Sequence, residues 1–140
     1  MPGHIRRATD ADLSRISEIR FAVKENVLRD PSRVPPELVT WFIDNPGIWL
    51  WEEDGKVLGF SAADTRDGTI FALFIDPAHE GRGIGRALFA KAVDTLREAG
   101  HREAALTTQP GSRADRFYQR AGWKVIGTSA RGERIFHSVL

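Results

Sequence analysis

The chain contains no cysteine. Disulfides, thiolate nucleophiles and thiolate metal sites are excluded together, so any covalent catalysis would need a different nucleophile. Tyrosine and methionine occur once each, and histidine four times, as His4, His79, His101 and His137. No two of these histidines stand four apart on one helix, which excludes a helical two-histidine zinc site, and no metal is expected. There is no excess of one charge: 20 Lys and Arg balance 19 Asp and Glu, for a net charge of +1. That balance cannot neutralise a run of phosphates, so no nucleic acid partner is expected. No stretch approaches 18 uncharged apolar residues, and the opening MPGHIRRATD carries arginines with no apolar segment behind them. No membrane partner is expected, and the location is read as cytoplasmic. What is present, 41% hydrophobic and 28% charged residues over 140 positions, describes a chain that folds as one domain over residues 1–140.

Punctuation and periodicity divide the chain. A short first strand at 4–8 is followed by Thr9-Asp10-Ala11-Asp12, a capping-box match that opens an amphipathic helix with Leu13, Ile16, Ile19, Val23 and Val27 on one stripe. A second helix is predicted over Glu37 to Ile43. Ile48–Trp51 and Val57–Ala63 flank an Asp54-Gly55 turn and predict a hairpin, and the apolar run Thr69–Ile75 predicts a buried central strand. Gly81, Gly83 and Gly85 then lead into a helix with Ile84, Leu88, Ala92 and Leu96 at every fourth position. The rest reads as a strand at Ala104–Thr108, a helix opened by the second capping-box match Ser112-Asp115, and two closing strands at 123–127 and 135–140.

Alternating glycines between a buried strand and an amphipathic helix leave backbone N–H groups exposed at a helix N-terminus, which is an anion cradle. It is not a dinucleotide fingerprint, because Arg86 stands where glycine is needed, and no Gly-Lys-Ser/Thr follows as in a nucleotide P-loop. Glycine in a helical first turn is costly, and close approach of a phosphate gives it a reason.

The segment Leu73-Phe74-Ile75-Asp76-Pro77-Ala78-His79-Glu80-Gly81-Arg82-Gly83-Ile84-Gly85-Arg86-Ala87-Leu88 resembles the signature of the GNAT superfamily of acetyl-CoA-dependent N-acetyltransferases. The later Ala114-Asp115-Arg116-Phe117-Tyr118-Gln119-Arg120-Ala121-Gly122-Trp123 is similar to that family's Ala-x-x-Phe-Tyr-x-x-x-Gly-aromatic segment. The resemblance implies an α/β (α+β) fold: a mixed, mostly antiparallel sheet of about seven strands, splayed between the fourth and fifth and flanked by about four helices. It implies acetyl-CoA as acyl donor in the gap, its pantetheine paired with backbone at Phe74 and Ile75 and its pyrophosphate on Gly81, Arg82, Gly83, Ile84, Gly85 and Arg86. Two positions depart from the family pattern. Glu80 stands where Gln or Arg is usual, and Gly111 where Asn is usual, with Ser112 as a replacement for the missing amide contact.

An amine attacks a thioester in its neutral form, and the departing thiolate benefits from an acid. Tyr118 matches the family tyrosine that hydrogen-bonds the CoA sulfur. The base is open: Thr69–Ile75 lacks the glutamate many relatives carry there. Glu25, with Asn26 beside it, is one substrate-binding candidate, His79 lies nearer the phosphates, and a water relay needs no single base. Trp49 and Trp51 are read as core against a helix, with a place in the acceptor pocket as the alternative. Glu25, Asp30, Glu52 and Asp64 would suit a cationic acceptor or be plain surface. The reading is an N-acetyltransferase acting by direct attack in a ternary complex on a small-molecule or peptide amine. The alternative is a non-catalytic acyl-CoA-binding sensor. The resemblance also allows a homodimer paired through the closing strands.

Overall fold

The structure is a computed structural model that describes residues 3–22 and 36–140. Its strands are β1 (His4–Arg7), β2 (Ile48–Glu53), β3 (Lys56–Asp64), β4 (Thr69–Ile75), β5 (Glu103–Thr108), β6 (Lys124–Thr128) and β7 (Arg134–Val139). The helices are α1 (Leu13–Ala22), α2 (Pro36–Asp44), α3 (Ile84–Glu98) and α4 (Arg113–Arg120). One seven-stranded sheet runs in the order β1-β2-β3-β4-β5-β7-β6, antiparallel throughout except for β4 and β5. No described helix is long and apolar enough to cross a membrane.

Each predicted element is present among the described residues, and the ends that are described shift by a residue or two. Thr9 opens a single 3-10 turn, Asp10–Asp12, before the α-helix proper. The Asp12 carboxylate accepts the Thr9 N–H at 2.8 Å, the reciprocal half of a capping box. Val23 and Val27 of the expected apolar stripe lie outside the described residues, while Ile16 and Ile19 are buried. The hairpin turns on Asp54 and Gly55, with φ of 52° and 77°, the left-handed pair that a two-residue hairpin loop requires.

The sheet is covered on both faces. On one, α1 and α2 bury Ile16, Ile19, Phe42 and Ile43 against Leu50, Phe60 and Ala72. On the other, the predicted stripe of α3 is realised: Ile84, Leu88, Ala92 and Leu96 are all buried, beneath which lie Ile70, Leu106, Trp123 and Phe136. The Ser61 hydroxyl fastens sheet to helix by donating to the Leu88 carbonyl at 2.9 Å.

The β4–β5 seam positions the site. β3 and β4 pair along their length, with a one-residue shift that leaves Phe71 as an extra residue on β4. Such a bulge bends its strand and raises the local twist. Beyond it, Ala72 joins the α1/α2 face and Leu73 the α3 face, and Phe71 stacks on Phe42 at 4.3 Å. β4 meets β5 at a single register pair, Thr69↔Ala105. From that pair onward the two strands diverge, and the edge of β4 facing β5 carries no ladder.

Candidate active site in the splayed sheet

The glycine loop is held by a chain of contacts from α1. Arg15 donates to the Val57 carbonyl at 2.8 Å and to the Asp76 carboxylate at 2.7 Å. Asp76 in turn donates its N–H to Leu58 O and accepts the Ala78 N–H, which starts the turn Pro77–His79. Burial works against the Asp76 charge, but the Ala78 N–H and Arg15 outweigh it and hold the carboxyl below its ordinary range. The chain then reaches Gly83, the N-cap of α3, at φ 84°. That left-handed conformation suits glycine and lets the first N–H groups of α3, which have no intrahelical acceptor, face outward.

They face a cavity of about 560 Å³. Phe74, Ile75, Gly81, Gly83, Ile84, Gly85, Arg86 and Tyr118 line it, as does His79. Two of the expected side chains are engaged within the protein. Arg82 turns away from the cavity: its guanidinium grips the Glu53 carboxylate at 2.8 Å and donates to His79 Nδ1 at 3.1 Å, leaving only its backbone in the loop. Ser112 caps α4, accepting the Asp115 N–H at 3.1 Å and donating to Gln109 O at 2.7 Å. With its hydroxyl engaged on both sides, Ser112 serves the helix rather than the cavity. Asp115 completes that cap by accepting the Gly111 N–H at 2.7 Å.

Arg113 and Arg120 also line the cavity, and neither was singled out from the sequence. Their signal was available: Arg113, Phe117 and Arg120 follow an i, i+4, i+7 spacing that puts them on one helix face. Glu80, the departure in the loop, approaches Arg113 at 3.6 Å across the cavity mouth. One acid against Arg86, Arg113 and Arg120 leaves the cavity cationic, in a chain whose overall charge is nearly zero.

Tyr118 stands where this cavity meets a second, smaller one between β4 and β5, lined by Ile70–Phe74, Leu106–Thr108, Ala114 and Tyr118 itself. Its ring packs against Phe89, Phe117, Trp123 and Phe136. Burial raises its hydroxyl pKa, so it stays protonated through the physiological range. No carboxylate is among the described residues lining the smaller cavity.

The acceptor-side candidates divide. Glu25, Asn26 and Asp30 lie outside the described residues. Glu52 is taken by Arg6 at 3.0 Å, and Asp64 by Arg66 at 2.8 Å. Trp49 packs on the α3 side, donating to Thr95 at 3.0 Å with Lys91 over its ring. Trp51 packs with it against the cluster of Leu58, Ile84 and Leu88.

Comparison with known proteins agrees with this geometry. Residues 13–123 match the family model described as the acetyltransferase (GNAT) family. The chain is 33% identical over 98 residues to mycothiol acetyltransferase of Beutenbergia cavernae, a match covering 66% of this chain and 33% of that protein. It thus spans about a third of that relative's length. It is 30% identical over 139 residues to the peptidyl-lysine N-acetyltransferase YiaC of Escherichia coli, covering 92% of this chain and 88% of YiaC. The fold matches the crystal structure of the PaiA N-acetyltransferase from Thermoplasma acidophilum in complex with coenzyme A. There the TM-score is 0.83 at 17% identity, over 100% of both chains. Sheet order, splay, glycine cradle and these matches together make the chain a member of the GNAT acetyltransferase family.

Proposed function

We propose that the protein transfers an acetyl group from acetyl-CoA to an amine, by direct attack within a ternary complex, and that residues 1–140 act as one domain. The observation that carries this is the continuity of the cationic glycine cradle, the unpaired edge of β4 and Tyr118 along one cavity. The pyrophosphate rests on the N–H groups of Gly81 to Arg86, with the Arg86, Arg113 and Arg120 side chains adding charge-assisted contacts. Pantetheine pairs with the open backbone of β4 at Phe74 and Ile75, delivering the thioester to the junction of the two cavities.

The neutral amine attacks the thioester carbonyl, a C–N bond forms and the C–S bond breaks. The leaving thiolate takes the Tyr118 hydroxyl proton. The ammonium proton leaves to water, a route supported by the lack of any carboxylate among the residues described around the inner cavity. Tyr118 then recovers a proton from solvent. Cytoplasmic action, and pairing of two copies through the closing strands, belong to the same reading. The edge strand β6 leaves Val125 and Ile126 exposed, as such pairing requires.

The test is thiol release from acetyl-CoA across a panel of amines, with CoA-induced thermal stabilisation recorded in parallel. Stabilisation with turnover on at least one amine supports the transferase. Stabilisation without turnover on any amine supports the sensor alternative, and no stabilisation contradicts both.

A further inference from the structure

Among the described residues, one buried side-chain polar atom has no hydrogen-bond partner: Nη1 of Arg20, on α1. The other partly buried arginines of this face are neutralised. Arg6 is bound to Asp12 and Glu52, and Arg15 to Asp76. Arg20 has no carboxylate partner among the described residues. Its guanidinium lies over the Phe74 ring, with Cζ 4.4 Å from the centroid, and its surroundings disfavour the charge through desolvation alone. A half-buried fork of donors with an unmet hydrogen bond weakens the folded state unless something else occupies it.

The place of Arg20 says what that something is. Phe74, the ring beneath it, lines both the cradle cavity and the inner cavity beside Tyr118. Arg20 therefore stands over the strand at which the thioester is delivered, on the sheet face opposite α3. The side chains lining the inner cavity carry no charge, and the described acceptor-side acids Glu52 and Asp64 are already paired. A cationic group on the acceptor would find no free carboxylate among the described residues lining that cavity, whereas an anionic one would meet a planar guanidinium stacked on Phe74, a ring of the cavity wall. Arginine presents paired N–H donors that match a carboxylate in bidentate fashion.

We infer that Arg20 is a specificity residue for the acceptor, and that the acceptor is an amine that also carries a carboxylate. This rests on the transferase reading above and names its substrate class.

Binding of reaction products tests it without requiring turnover. CoA-loaded protein is titrated by calorimetry with N-acetylglycine, N-acetyl-β-alanine and N-acetyl-4-aminobutyrate, and with the primary amide of each. The series also reads the spacing between amine and carboxylate. At one spacing at least, the acid should bind about 10- to 100-fold more tightly than its amide. Arg20→Gln should shrink that ratio to within about threefold, and Arg20→Lys, which keeps the charge but loses the fork, should leave it intermediate. CoA affinity should be unchanged in both variants, and Arg20→Gln should melt no lower than the parent, since removing the unmet buried donor offsets the lost contact with Phe74.

Equal affinity for acid and amide at every spacing, or a preference that survives Arg20→Gln, overturns the inference. A lower melting temperature in Arg20→Gln with no carboxylate preference in the parent assigns Arg20 to packing on Phe74. If acids bind through Arg20 yet no amine is acetylated, the transferase reading fails while the anion site stands.

Discussion

The two faces of the sheet use arginine in opposite ways. On the α3 side, Arg86, Arg113 and Arg120 are gathered along an open cavity whose described lining residues include one acid, Glu80. On the α1 side, Arg6 and Arg15 are tied into the fold by Asp12, Glu52 and Asp76, and Arg20 alone lacks such a tie among the described residues. The cations on one face line a cavity, with Arg113 meeting Glu80 at its mouth, and two on the other hold the glycine loop and first strand in place. The net charge of +1 conceals this division. What matters for function is which cations the fold has already neutralised.

The largest effect that would break this contrast is at the cradle. Gly83→Asp places a side chain at φ 84° and a carboxylate beside the pyrophosphate, so CoA affinity should fall more than about 100-fold. The CoA-induced rise in melting temperature should vanish, and an undiminished rise would remove the loop from the site. Tyr118→Phe should lower kcat by about 10- to 100-fold, while the acetyl-CoA KM stays within about twofold, because a proton donor is lost and a ring is kept. Equal kcat would return Tyr118 to the aromatic core that surrounds it.

Gly85→Ala separates ligand binding from folding. A Cβ there would meet nothing nearer than Ile75 Cγ1 at 3.7 Å, so the free protein should gain about 0.5–1 kcal/mol. CoA should nevertheless bind about tenfold more weakly, because the methyl keeps phosphate from the backbone. Denaturant unfolding and calorimetry read the two effects separately, and a loss of stability would make Gly85 a packing residue.

The smallest effect belongs to the neutralised face. Hydrogen bonds from Arg6 hold the Asp12 carboxyl below its ordinary range, and a depressed folded-state pKa stabilises the fold only above the unfolded value of about 3.9. The melting temperature should be flat from neutrality down to about pH 5 and fall below about pH 4 as Asp12 takes up a proton. In Asp12→Asn that acid limb should be shallower. Tyr118, kept protonated by burial, should add no alkaline limb to kcat below about pH 10.

Much of the cradle was readable from the chain because its signals are local. The fourfold apolar spacing of α3, the glycine triplet and the turn residues at Asp54-Gly55 each act within a few positions. The Arg113 and Arg120 contribution was readable too, by helical spacing, but depended on knowing that α4 faces the cradle. Three features were not readable, because they arise from tertiary pairing. The bulge at Phe71 exists only in the register of β3 on β4. The diversion of Arg82 to Glu53 joins residues 29 apart in sequence. Arg20 looks in sequence like any polar position on an amphipathic helix, and only the packing of α1 over Phe74 strips its water without an acid partner from the described residues. Ser112 shows the converse: its sequence signal as a helix cap was correct, and that cap occupies the hydroxyl wanted for a ligand contact.

Calorimetric titration of acetyl-CoA into the purified protein tests the central claim most directly. Saturable binding at one site per chain, competed away by CoA, is the predicted result. Absence of saturable binding would contradict the account, because the cationic cavity, the open edge of β4 and the outward N–H groups of α3 would then have no common ligand.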